Sequence, residues 1–154
     1  SYIDSEHPYA EFLDIIRKHL AEGGRLIIAI ENKFGLKYWA GCREDHIATF
    51  FGGIEGYAKD SYVRTFAKNE LAQMLTDAGF AEHTFYYPYP DYKLPEKIFS
   101  DAYLPHANEL NVNHRNFDRN RVELFDENKV YGELIHAGMF PEFSNSFLIV
   151  AKGV

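Results

Sequence analysis

Residues 23–39, GGRLIIAIENKFGLKYW, constrain the fold more than any other stretch of the chain. Two glycines precede an unbroken apolar run of Leu26, Ile27, Ile28, Ala29 and Ile30, and polarity returns abruptly at Glu31. Successive strand residues face opposite ways, so a run that is apolar at odd and even positions alike predicts a strand covered by helices on both faces. That is the pattern of a parallel α/β sheet. Where such a strand ends, the chain leaves the core, and open α/β sheets bind their ligands at that end. Glu31 and the residues after it are therefore expected to form a functional rim.

The bulk properties narrow the class of protein. A length of 154 residues suits one domain with a real core, taken here as 1–154. The net charge of −7 argues against a nucleic-acid binder working through a broad basic surface, because such affinity comes from neutralising phosphates. No apolar stretch approaches the ~18 residues of a membrane span, and no secretory signal opens the sequence. The single cysteine, Cys42, cannot form an internal disulfide. Together these features lead to the expectation of a cytoplasmic protein without a membrane span. Phe is expected in the core, whereas the 11 tyrosines suit half-wet surfaces such as sugar sites and interfaces. The sequence opens on Ser1, and the expectation is of a piece of a longer protein.

Taken in order, Pro8 suits the first turn of a helix, and Tyr9, Phe12, Leu13, Ile16 and Leu20 recur at helical spacing up to Gly23 and Gly24. Residues 32–64 have no clean period and carry five glycines among aromatic residues. A connection this long reads as a lid or binding loop, with a short helix near 44–51. Residues 68–78 form a second helix with Leu71, Met74, Leu75 and Ala78 on one face, a weak cap at Ala67 and a stop at Gly79. A second strand is expected at 82–87, closed by Pro88 and Pro90. An insertion follows at about 91–127, with a short helix near 95–102 and an exposed, Asn-rich excursion at 108–121. Residues 128–137 read as a helix and 147–151 as a third strand.

Three segments carry a family resemblance: LAEGGRLIIAIEN (20–32), FAKNELAQMLTDAGFAEHTFYY (66–87) and SFLIVAKG (146–153). Their order resembles the C-terminal half of a class I S-adenosylmethionine-dependent methyltransferase. The text IENKFGLKYWAG is similar to methyltransferase-type segments of bacterial lipopolysaccharide and cell-surface polysaccharide biosynthesis proteins. The resemblance implies an α/β fold: a partial Rossmann-like methyltransferase sheet of three strands, the last antiparallel and central, flanked by helices with loop and helical insertions. It implies a transferase in which this chain supplies the acceptor-side loops for a glycan or sugar-phosphate acceptor. The family's glycine-rich cofactor loop has no counterpart here, since Gly52, Gly53 and Gly56 follow no strand. S-adenosylmethionine is therefore expected to bind the full-length protein and not to bind this chain tightly, which alone is expected to be inactive. The alternative is a non-catalytic methyltransferase-like module that binds a glycan or a partner protein. In the complete fold another strand would flank 26–30, and leaving that edge open predicts a dimer through Leu26 to Ile30.

Several residues are candidates for chemistry. Glu31, Asn32 and Lys33 sit at the strand exit, where they either recognise the acceptor or form an ordinary polar turn. In Arg43-Glu44-Asp45-His46, His46 is a candidate general base on an acceptor hydroxyl, with Glu31 as the other candidate and with Tyr38 and Asp45 as substrate ligands. The same cluster also reads as a solvated loop or a helix cap. The remaining histidines show no metal-binding spacing, and no metal site is expected. Tyr86, Tyr87, Tyr89 and Tyr92 either offer stacking faces or pack a strand exit. His114, Arg115, Arg119 and Arg121 form a basic patch suited to an anionic acceptor, or else a solvated loop.

Overall fold

Pro8 begins helix α1 (Pro8–His19), as its fixed φ and missing N–H predict. The structure, a computed structural model, describes residues 6–58, 61, 63–111 and 121–153. After α1 come β1 (Arg25–Glu31), the one-turn helices α2 (Leu36–Trp39) and α3 (Gly52–Glu55), then α4 (Lys68–Asp77). The chain continues through β2 (His83–Tyr89), β3 (Lys97–Ser100), a 3-10 turn (Ala107–Glu109), α5 (Glu127–His136), α6 (Phe140–Phe143) and β4 (Ser146–Lys152). The fold is mixed α/β, with one open four-stranded antiparallel sheet in the order β1-β4-β2-β3.

β4 lies between β1 and β2 and runs against both. Its register with β1 extends from Arg25↔Lys152 to Glu31↔Ser146, and its register with β2 from His83↔Ala151 to Tyr86↔Leu148. The C-terminal ends of β1 and β2 therefore share one end of the sheet with the start of β4. The expectation of a parallel strand covered on both faces is corrected. Leu26, Ile28 and Ile30 pack on the core, opposite the buried Ala151, Ile149 and Phe147, but Ile27 on the other face is 65% exposed. Helices α1, α2, α4, α5 and α6 contribute to one core cluster, on the face that Leu26, Ile28 and Ile30 share. The apolar run is thus half buried and half open.

Three other expectations are corrected. Residues 95–102 hold strand β3 rather than a helix, because Phe99 pairs with Tyr87 and joins the core while Ile98 faces out. Residues 44–51 form turns: Ala48 and Phe51 both have φ of 59°, a left-handed backbone that cannot continue an α-helix. β2 does not stop at Pro88 but runs through it to Tyr89. The Glu82 carbonyl accepts from Lys152, so even-numbered residues of β2 aim their backbone groups at β4. The β4 ladder ends at Tyr86, and Pro88 stands where no N–H is needed. Ala67 gives α4 no side-chain cap, and Glu70 Oε2 instead reaches back to the Ala67 N–H at 2.7 Å. Most of the Asn-rich excursion, residues 112–120, lies outside the described residues, including His114, Arg115 and Arg119.

The core is aromatic at its centre. Phe147 of β4 is fully buried and packs edge-on against Phe85 at 5.5 Å and Tyr87 at 6.3 Å between ring centroids. Phe140 closes the far side of Tyr87 at 5.8 Å. Truncating Phe147 leaves a cavity that this interlocked set cannot refill. Urea unfolding should show Phe147→Ala destabilised by about 3–5 kcal/mol, whereas Ile27→Ala on the open face should lie within about 0.5 kcal/mol of the parent.

Candidate functional site

Three loops meet where β1 and β2 end and β4 begins, and buried asparagines join them. Asn32 is fully buried: its amide donates to the Glu142 and Ser144 carbonyls, both at 2.8 Å, and its Oδ1 accepts the Phe34 N–H at 3.0 Å. Asn145 binds the Asn32 N–H through its backbone carbonyl, the Lys37 N–H through Oδ1 at 2.9 Å and the Pro90 carbonyl through Nδ2 at 3.0 Å. This close approach needs Gly35, since a Cβ there would stand 3.0 Å from Asn145 Cα.

On that frame sits a charged cluster. The Lys37 ammonium lies 3.0 Å from both Asp45 Oδ2 and Asp91 Oδ2. The Tyr38 hydroxyl donates to Asp45 Oδ2 at 2.5 Å. From the loop after β2, Lys93 reaches Glu31 Oε1 at 3.2 Å and Asp45 Oδ1 at 3.7 Å, and burial followed by the Glu31 charge raises the Tyr92 phenol above its ordinary 10.0. Glu31, Asp45, Asp91 and Lys37 are largely buried, whereas the Lys93 side chain is 40% exposed.

Behind the cluster, buried Glu44 holds the 44–49 turn. Its Oε2 accepts the backbone N–H groups of His46 and Ile47, both at 2.7 Å, and its Oε1 accepts the Tyr57 hydroxyl at 2.7 Å. Burial pushes the Tyr57 phenol up to about 12.

The charges are mutually stabilised. Burial works to raise the Asp45 pKa, but the Lys37 charge, the Tyr38 hydroxyl and Lys93 together hold it below its ordinary 3.8. Burial works to lower Lys37, and Asp91 and Asp45 together hold it above 10.5. Burial, then the Asp45 charge, drives the Tyr38 phenol far above 10.0, so this hydroxyl serves as a donor and not as a base. Cys42 is buried nearby, and burial lifts its thiol to about 11, which keeps it neutral. The rim thus offers the ionised Asp45 carboxylate backed by fixed donors, an arrangement suited to orienting hydroxyl groups.

The sequence candidates divide accordingly. Glu31, Tyr38 and Asp45 come together in the cluster. Asn32 is fully engaged in holding the loops, and Lys33 turns away to Glu70 of α4 at 2.6 Å. His46 is exposed on the loop surface, while the Asp45 carboxylate beside it in sequence points to Lys37 and Tyr38. Sequence reasoning missed Lys37, Asp91 and Lys93. The signal that could have found the last two is the charged pair in DYK directly after the second strand's exit prolines. Tyr87 and Tyr89 are buried packing groups, whereas Tyr86 and Tyr92 are half-buried. Among the described residues, no group of three or more His, Cys, Asp or Glu is arranged to hold a metal ion, and no helix is long and apolar enough to cross a membrane. A groove of about 560 Å³ lies between α1 and the end of α4, lined by Glu11, Asp14, Arg17 and Asp77, and not at the strand exits. Comparison with protein families, curated proteins and solved structures finds no match to this chain.

Two measurements check this arrangement. Asn32→Ala strands the Phe34 N–H, the buried Ser144 carbonyl and the Glu142 carbonyl, and should destabilise the fold by about 2–4 kcal/mol in urea unfolding. The second is a pH series. The stability contributed by the Asp45 carboxylate is complete above 3.8 and is lost as pH falls through its lowered folded value. That contributed by Lys37 is complete below 10.5 and is lost as pH rises through its raised folded value. Urea midpoints should be flat through neutrality and fall at both extremes, with Asp45→Asn flattening the acid limb.

Proposed function

We propose that this chain forms the acceptor side of an S-adenosylmethionine-dependent methyltransferase domain acting on a cell-surface glycan or its sugar-phosphate precursor. The observation that carries the reading is the strand order: β4 runs antiparallel between β1 and β2, the arrangement that the resemblance of residues 20–32, 66–87 and 146–153 implies. The location of the cluster adds support, because ligands of open α/β sheets bind outside the carboxyl ends of their strands.

In this reading Asp45 and Glu31 accept hydrogen bonds from acceptor hydroxyls, and Tyr38 and Lys37 hold Asp45 ionised and oriented. Methyl transfer is a direct displacement at the sulfonium carbon, so the main contribution of such a rim is alignment of the acceptor oxygen. Glu31 is the better-placed base, with Lys93 paired to its carboxylate until an acceptor displaces it. His46 stands at the surface of the same loop and would reach an acceptor only from outside the cluster. The cofactor would be held by the remainder of the domain, in the full-length protein.

Titration calorimetry of S-adenosylmethionine into the full-length protein carrying this chain tests the proposal. One-site binding is expected, and Asp45→Asn should leave that affinity unchanged while abolishing most transfer to the acceptor. A full-length protein that gives no binding heat would overturn the reading.

A further inference from the structure

Asp45 reaches the rim from a turn without regular structure, and the segment GGIEGY (52–57) packs directly behind that turn. Within the turn, the Glu44 N–H bonds the Thr49 carbonyl and the Ala48 N–H bonds the Glu44 carbonyl, both at 2.9 Å, while Glu44 Oε2 takes the His46 and Ile47 N–H groups. The Asp45 backbone is thus enclosed by bonds that share Glu44. Ala48 and Phe51 both have φ of 59°, a left-handed backbone that a side chain makes costly and that persists only where the surroundings enforce it. α3 supplies part of that enforcement, because it opens on two glycines. A Cβ at Gly52 would stand 2.4 Å from Ile47 Cδ1 and from Thr49 Oγ1, and one at Gly53 would stand 3.0 Å from the Tyr57 hydroxyl. Gly52 therefore lets the turn close on α3, and Gly53 leaves room for Tyr57 to reach Glu44.

The Tyr57 hydroxyl is fully committed. It donates its one proton to Glu44 Oε1 at 2.7 Å, and accepts from the Thr65 hydroxyl at 2.6 Å and from the Thr65 N–H at 3.1 Å. Glu44 and Thr65 are both buried. Thr65 adjoins Phe66, which pairs with Asn32 and binds the Lys33 N–H at the exit of β1. One hydroxyl therefore ties the strand exit that carries Glu31 to the turn that carries Asp45. We infer that Tyr57 is a positioning residue for the rim: acting through Glu44, and seated by Gly52 and Gly53, it fixes where the Asp45 carboxylate stands relative to Lys37 and Tyr38. The inference rests on the methyltransferase reading only for what Asp45 would bind, since the geometry itself belongs to this chain.

Carbon NMR titration of the Asp45 carboxyl group in the 154-residue chain tests this. The groups that face that carboxylate are Lys37, Tyr38 and Lys93, and Glu31, Glu44 and Asp91 belong to the same cluster. In the parent, Asp45 should titrate below 3.8. Tyr57→Phe keeps the ring and removes the hydroxyl, so Glu44 loses a donor and the turn loosens. Asp45 should then titrate nearer 3.8, a rise of about half a unit or about threefold in proton affinity. The His46 and Ile47 amides should exchange with solvent roughly tenfold faster. Gly52→Ala presses on Ile47 and Thr49 without touching Tyr57, and should move Asp45 in the same direction. Ile149→Val lowers stability from the core and should leave the Asp45 titration unchanged. Asp45 titrating in Tyr57→Phe as in the parent overturns the inference, and so does an equal shift in Ile149→Val, because Tyr57 would then support the fold and not the site. A parent Asp45 that already titrates at 3.8 overturns it as well, since the carboxylate would not be held against Lys37 and Tyr38. These outcomes are separate from failure of the methyltransferase reading, which the calorimetry of S-adenosylmethionine decides by itself.

Discussion

The backbone of β4 uses both of its edges, against β1 on one side and β2 on the other, and the rest of the molecule is arranged by that double pairing. Because β4 runs against both neighbours, its first residues stand beside the last residues of each. The turn before it, Ser144 and Asn145, is thereby held between two departing loops. Burial of Phe147, Ile149 and Ala151 on the covered face fixes the register, since a slip of one residue would turn every one of them outward.

The polar rim follows from that placement. Its loops contain little regular structure, and their order comes instead from buried amides that satisfy backbone groups of other segments, Asn32 to Glu142 and Ser144, and Asn145 to Lys37 and Pro90. Such groups are costly to bury unless bonded, so once bonded they specify one loop arrangement. The charged side chains above them use the same logic at higher stakes. Lys37 compensates two aspartates, and removing it would leave both partly buried and under-compensated.

The elements that were legible in the sequence are those with a strong period or a hard stop. α1 between Pro8 and the glycine pair, α4 up to Gly79, and α5 up to Gly138 were readable because local propensity and packing agree there. β1 was legible as a strand, but its covering was not: apolar residues on both faces describe what the strand tolerates, and only the sheet around it decides which face is covered. β3 was hidden because KIFS is short and its one core residue, Phe99, is recognised by Tyr87 and Phe140 rather than by local pattern. At the site, Glu31 and Tyr38 were legible from their closeness to the strand exit, and Asp45 from the charged cluster it forms with its chain neighbours in the long loop. Asp91 and Lys93 were not, because they reach the cluster from more than fifty positions away through a fold-dependent contact. Asn32 shows the opposite error. A polar residue at a strand exit reads as a ligand group, yet burial has already committed each of its hydrogen-bonding atoms.

Asn145 also governs when the rim can exist. Its side chain bonds residues 108 and 55 positions earlier, and its neighbour Ser144 bonds one 112 positions earlier. Contacts of such separation close large loops before they return any energy, and form late in folding. During synthesis, which proceeds from the N-terminus, the carboxylates of the rim emerge long before the residue that aligns their loops. A nascent or partly folded chain thus holds the chemistry in pieces. Competence at the rim reports that the whole sheet has closed.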